Sequence, residues 1–133
     1  ETVPLIAHLT IHGLQNYEDP NTAINRVMRR IEAHHADYEQ VLLTVEEDTF
    51  DVLYFDPIFH QPLERSEPMK PLRQLADSSA IERASLQEAL RVAERCVVIK
   101  QRYDTDLWEK LGIGEVVGSD ASRVAYGIAR PGN

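Results

Sequence analysis

Cysteine is almost absent. Cys96 is the single thiol among 133 residues, so no disulfide can form within the chain and no cysteine-rich zinc set exists. It lies in an apolar stretch with no base beside it, the setting of an inert thiol. The six glycines are scattered. No P-loop, no Gly-x-Ser-x-Gly elbow and no internal repeat can be found. No apolar run approaches the length of a membrane span, and the first residues lack the basic, apolar, small-residue order of a secretory signal, so a cytoplasmic location is the expectation. Positive charge is also short. Lys and Arg number 14 against 22 Asp and Glu, and the net charge of −8 argues against a free-standing nucleic-acid binder. It leaves room for an RNA-modifying catalytic part whose basic residues sit in one loop or on a partner segment.

What is present is an ordinary globular composition, 43% hydrophobic and 27% charged, on a chain the size of one domain, 1–133. Ten residues organise it: Phe50, Asp51, Val52, Leu53, Tyr54, Phe55, Asp56, Pro57, Ile58 and Phe59. An apolar, β-branched and aromatic run stops at a carboxylate and a proline. This predicts a buried parallel strand delivering Asp56 to its C-terminal edge, where open α/β sheets bind ligands.

On either side, helices and strands alternate. Pro4 after Thr2 and Val3 starts a helix expected from about Val3 to Leu14, with Leu5, Ile6, Leu9 and Gly13 at helical spacing. Asp19 and Pro20 open a second helix with Ala23, Ile24 and Val27 on one face. Arg30 to His35 alternates in polarity and reads as a short strand ending at Ala36, Asp37 and Tyr38; a single helix from Pro20 to Leu43 is the rival. Tyr38 to Val45 reads as a short helix, and Glu46 to Asp48 as a solvated acidic loop. Ser85 and Glu88 have the spacing of a capping box before a helix with Leu86, Ala89, Leu90 and Ala93 as its buried stripe. Arg95 to Gln101 is a further buried strand, Thr105 to Leu111 a helix closed by Gly112, and Ile113–Gly118 with Arg123–Ala129 a terminal hairpin. Tyr126 reads as packing. The sum is an α/β layer finishing in an antiparallel pair.

Asp56 and its successors offer a narrow chemistry. An exocyclic amine on a nucleobase is a weak nucleophile because its lone pair is delocalised into the ring. A carboxylate and a backbone carbonyl that accept the two amine hydrogens localise that pair. Pro57 stiffens the turn and lacks an N–H, and Phe59 can lie over the flat base. The alternative is that Asp56 caps the following element and Phe59 is core. Between Phe59 and Ser85 lies a proline-rich stretch whose Arg65, Lys70 and Arg73 are candidates for phosphate contacts; a surface loop is the equal alternative, with a short helix possible over Leu72 to Ala76. Lys100, at a strand end, reads as a solvated lysine.

The stretch from Asp51 to Phe59 resembles motif IV of the class I S-adenosylmethionine-dependent methyltransferases that modify amino groups, usually Asp or Asn, Pro, Pro, then Tyr or Phe. Ile58 replaces the second proline, which brings it closer to the Asp-Pro-Met-Phe of the small-subunit ribosomal RNA guanine-N2 methyltransferase J family and its Gram-positive relatives. Further similarities run through Pro4 to Ala7, Gly13 and Leu14, His35 to Asp37, Pro71 to Ala76, Glu88 to Ala93, Val97 to Lys100 and Ser122 to Gly127. The resemblance implies a Rossmann-like class I methyltransferase sheet with a terminal antiparallel hairpin, lacking the first strands and the glycine-rich loop. The chain is then the C-terminal part of a catalytic domain, inactive alone, and needs a missing N-terminal segment or a partner chain to complete the sheet.

By the same resemblance, Asp56, Pro57 and Phe59 are the catalytic set acting on guanine N2 of ribosomal RNA, and Lys100 stands where the family has a lysine, which implies a phosphate or substrate contact. Glu1 matches the carboxylate that takes the ribose hydroxyls of S-adenosylmethionine. Asp37, flanked by Ala36 and Tyr38, matches the acceptor of the adenine amine. Two other functions are kept beside this one. A methyltransferase-derived chain lacking the donor loop can be a non-catalytic interaction module. His34, His35, Asp37 and Asp56 have metal-ligating chemistry, as in a metal-dependent hydrolase, although adjacent strand residues point to opposite faces and do not readily share an ion, so no metal is assigned.

Overall fold

A computed structural model describes residues 1–57 and 81–132. The chain divides into two compact units, Glu1–Val41 and Leu42–Asn133.

In the first unit, helix α1 spans Pro4–Asn16, with the proline at the first helical turn, where its missing N–H costs no bond. The cap residue is Val3, whose amide donates to the Glu1 side chain at 2.8 Å. Leu5 and Leu9 of the expected stripe are exposed and Ala7 is the buried residue. Helix α2 is Thr22–Met28. It starts later than the Asp-Pro signal suggests, because Asn21 supplies the cap to Ala23 N–H while Asp19 accepts from the Asn21 amide. Arg29 closes this corner by donating to the Leu14 carbonyl and, at 2.9 Å, to that of Tyr17.

The stretch after α2 corrects both sequence readings. A turn over residues 29–30 ends the helix, so no single helix crosses this region. No regular strand forms either. Residues 31–35 belong to no regular element, and the segment bridges to Glu1: the Glu1 amino group donates to His34 O at 3.3 Å, and Ala36 N–H donates to Glu1 O at 3.1 Å. These are the two slanted bonds of one parallel pairing about His35. Helix α3, Tyr38–Thr44, follows.

The second unit is built on a four-stranded sheet of order β1-β2-β4-β3. Its strands are β1 (Phe50–Phe55), β2 (Ala93–Arg102), β3 (Glu115–Ser119) and β4 (Val124–Ala129). β1 and β2 are parallel, joined through α4 (Arg83–Val92); β4 runs antiparallel between β2 and β3. The terminal hairpin therefore places its second strand against β2. Helix α5, Leu107–Leu111, ends at Gly112, whose φ of 74° suits a residue without a side chain.

Alternation sorts the strand residues onto two faces. Val97, Ile99 and Ala125 are fully buried on one; Leu86, Ala89 and Val92 of α4 and Leu107, Trp108 and Leu111 of α5 are buried as well. The opposite face carries Val52, Tyr54, Val117 and Tyr126, all exposed. β1 is thus not the buried strand expected from its composition: it is the edge strand of this sheet, and Phe50 and Val52 are more than two-fifths exposed. Cys96 is half-buried. The capping box is also absent. α4 begins at Arg83, which places Ser85 inside the first turn, and Glu88 bonds Arg91 instead. Among the described residues, no helix is long and apolar enough to cross a membrane.

Candidate functional site

β1 ends at Phe55, and Asp56 and Pro57 are the first residues beyond it. The parallel register pairs Phe55 with Ile99, so Asp56 and Lys100 emerge next along their two strands. Their side chains meet: Lys100 Nζ lies 2.9 Å from Asp56 Oδ2. The carboxylate is 47% exposed and the lysine 29%. Hydrogen bonding to Asp56 raises the Lys100 pKa against partial desolvation, so the ammonium persists through the neutral range. Tyr54 precedes Asp56 by two residues on the same face, and Tyr126 stands opposite Lys100 on β4. A carboxylate at the end of a parallel strand, held by a cation and followed by a rigid proline, can accept hydrogen bonds from a substrate.

The first unit contributes two other carboxylates. Glu1 Oε1 accepts from the Val3 amide, and Asp37 Oδ1 accepts from the Glu39 amide at 2.8 Å while its carbonyl accepts from Val41. Asp37 thereby caps α3. Because Glu1 is hydrogen-bonded to the segment about His35, the two carboxylates lie on neighbouring stretches of backbone. Ala36 supplies an amide of that pairing, and Tyr38 starts α3.

His34 and His35 have separate contacts. His34 Nε2 lies 3.9 Å from Glu32 Oε2, and His35 Nε2 lies 3.1 Å from the Thr2 carbonyl. No group of three or more His, Cys, Asp or Glu able to hold a metal occurs among the described residues. Phe59, Arg65, Lys70, Arg73 and the short helix expected over Leu72 to Ala76 lie outside the described residues.

Sequence reasoning missed the pairing of Asp56 with Lys100. The available signal was positional: each residue follows the apolar part of its own strand, and parallel neighbours bring such positions together. It also missed Arg91, which donates to Leu42 O at 2.8 Å and Val45 O at 3.0 Å and thereby satisfies carbonyls at the end of α3.

A parallel pair, a connecting helix, a reversed terminal strand and a strand-end carboxylate fit the methyltransferase class. Residues 1–115 match the family described as "Putative SAM-dependent methyltransferase", and the chain belongs to that family. Over 124 residues it is 32% identical to the uncharacterized protein YpiP of Bacillus subtilis (strain 168), an overlap covering 93% of this chain and 48% of the relative. The chain thus spans about half the length of that relative. S-adenosylmethionine is the cofactor of the family.

Carboxylates with the chemistry to accept the hydroxyl and amine hydrogens of its adenosine half are present. Glu1 and Asp37 each have one carboxylate oxygen bound to a backbone amide, leaving the other to accept a hydroxyl or amine hydrogen.

Proposed function

We propose that this chain carries the acceptor-binding part and the adenosine-binding carboxylates of a class I, Rossmann-like methyltransferase that modifies an exocyclic amine of a nucleobase, with guanine N2 of ribosomal RNA as the target. The observation that carries this reading is the placement of Asp56-Pro57 directly after a parallel strand, with the carboxylate anchored on one oxygen. The sheet order supports it, and so does the likeness of Asp56 to Phe59 to motif IV.

S-adenosylmethionine, when bound, would supply a methyl carbon made electrophilic by its sulfonium, with the neutral thioether as leaving group. Asp56 and the Pro57 carbonyl accept the amine hydrogens and restore lone-pair density to the nitrogen, and Phe59 stacks on the base. After transfer, the surplus amine proton passes to water. Glu1 and Asp37 hold the ribose hydroxyls and the adenine amine. Arg65, Lys70 and Arg73 supply phosphate contacts beside an otherwise acidic surface. In-line placement supplies most of the rate in such a reaction. A further segment, from the same polypeptide or a partner, adds to the outer edge of β1, and the protein acts in the cytoplasm.

The test is tritium transfer from labelled S-adenosylmethionine to deproteinised small-subunit ribosomal RNA by the full-length protein. Asp56→Ala should abolish transfer and leave donor affinity, measured by calorimetry, nearly intact. Full activity in that variant would discard the assignment. An interaction module remains the competing reading, favoured by the exposed apolar face of Val52, Tyr54, Val117 and Tyr126; it requires that the wild-type protein bind no S-adenosylmethionine.

A further inference from the structure

We propose that Lys100 is a positioning residue for Asp56: its ammonium occupies Oδ2 and fixes the side chain so that Oδ1 faces the substrate amine. This rests on the amine-methylation reading above, and it differs from a phosphate or substrate contact by Lys100 itself.

The argument begins with the sheet. β2 is paired on both sides, with β1 through Phe55 and Ile99 and with β4 through Lys100 and Tyr126. Lys100 therefore stands on a strand whose position is fixed from two directions. Asp56 does not: it lies just past the end of β1, beyond the last paired residue, Phe55. A short side chain at such a place has several staggered rotamers open to it. The contact of 2.9 Å from Nζ to Oδ2 ties the less constrained residue to the more constrained one.

Lys100 is partly shielded, and among the described residues the groups facing it are Asp56 and Tyr54 from β1 and Tyr126 from β4. Asp56 is the one carboxylate among these. The ammonium has three donors and no acceptor, so it directs the Asp56 oxygen without competing for the hydrogens of the substrate amine.

The two roles separate in kinetics. A phosphate contact holds RNA before and during transfer, so its loss raises KM and lowers the salt dependence of binding. A positioning contact leaves RNA binding intact and lowers kcat, since misplacement by about 1 Å can cost on the order of 100-fold.

The experiment compares Lys100→Met, Lys100→Gln and Lys100→Arg in the full-length protein, with Asp56→Ala as reference and melting curves to establish folding. Lys100→Met and Lys100→Gln are expected to lower kcat about 10- to 100-fold with KM for ribosomal RNA changed less than about twofold, and Lys100→Arg to recover much of the rate. RNA affinity should keep its salt slope.

Unchanged kcat, or a raised KM with a salt slope reduced by about 0.7, would overturn the positioning role. If Asp56→Ala keeps full activity, the amine-methylation reading fails first; if Asp56→Ala is inactive while Lys100→Met is fully active, only the Lys100 inference fails. The pairing itself has a readout independent of turnover. The Lys100 side-chain resonances in NMR should titrate above ordinary lysines and return to the ordinary range in Asp56→Asn, and ordinary titration in the wild type would equally refute the inference.

Discussion

Replacing Gly127 with alanine should destabilise the sheet that carries Lys100, by an amount the packing sets. Gly127 sits in β4 opposite Ile99 of β2 and Val116 of β3, on the face where Trp108 is buried. A methyl group at this position would lie 2.5 Å and 2.8 Å from two carbons of the Trp108 ring and 3.2 Å from Ile113 Cγ2. The indole cannot simply swing away, because α5 is one short helix and the ring N–H donates to the Tyr103 carbonyl at 3.3 Å. Overpacking of this kind costs about 1–3 kcal/mol, which for a unit of this size lowers Tm by roughly 5–20 °C. Thermal unfolding followed by circular dichroism measures it. Gly114→Ala is the control: nothing lies within 4 Å of its added methyl, and its effect should stay within about 0.5 kcal/mol. Trp108→Leu opens space, so Gly127→Ala should cost distinctly less in that background than in the wild type. Strictly additive effects, or a Gly127→Ala variant melting with the wild type, would show that Trp108 does not set this limit.

Two more results are expected. Arg91→Met removes the donors to Leu42 O and Val45 O and the bond to Glu88; for partly exposed charge-assisted bonds the loss should be about 2 kcal/mol, read as a lower urea midpoint with unchanged slope, and a loss below about 0.5 kcal/mol would refute the role given to Arg91. Hydrogen bonding to Arg102 holds the Asp104 carboxyl below its ordinary value of 3.8. A depressed carboxylate stabilises the fold above its unfolded pKa and loses that contribution as pH falls through its folded value. The stability gap between wild type and Arg102→Met should therefore be full at neutral pH and close only below about pH 3.8, as equilibrium unfolding at stepped pH would show; a gap that persisted at the acid end would assign the effect to packing.

Local signals were legible in the sequence where local physics decides the structure. Pro4 set the start of α1, Gly112 the end of α5, and the run from Phe50 to Phe55 gave β1 with its bounds. The hairpin followed from two apolar runs about a Ser-rich turn. Signals failed where more than one residue could do the same job. Asn21 took the cap that Asp19 and Pro20 advertised, and Arg83 started α4 two residues ahead of Ser85. Burial of β1 was overestimated because composition reports what a strand can pack against, whereas its exposure depends on which neighbours the sheet provides. Lys100 was singled out as a residue but not as the partner of Asp56, since a contact 44 residues apart depends on strand order and register.

The three carboxylates chosen from sequence prove to be held in one way. Glu1 and Asp37 each give one oxygen to an amide two residues ahead, and Asp56 gives one to an ammonium on the adjacent strand. Among the described residues, the second oxygen of each has no hydrogen-bond partner. A carboxylate that merely completes a cap or a surface ion pair gains nothing from having its other oxygen oriented. One that must receive a ligand hydrogen does, because anchoring one oxygen removes rotamers that would otherwise be lost on binding. The anchors also differ in a way that suits the proposed roles. Backbone amides hold the two residues assigned to neutral hydroxyls and an amine of the donor, while an ammonium holds the residue assigned to the amine being methylated, where misplacement of the acceptor by about 1 Å can cost on the order of 100-fold in rate.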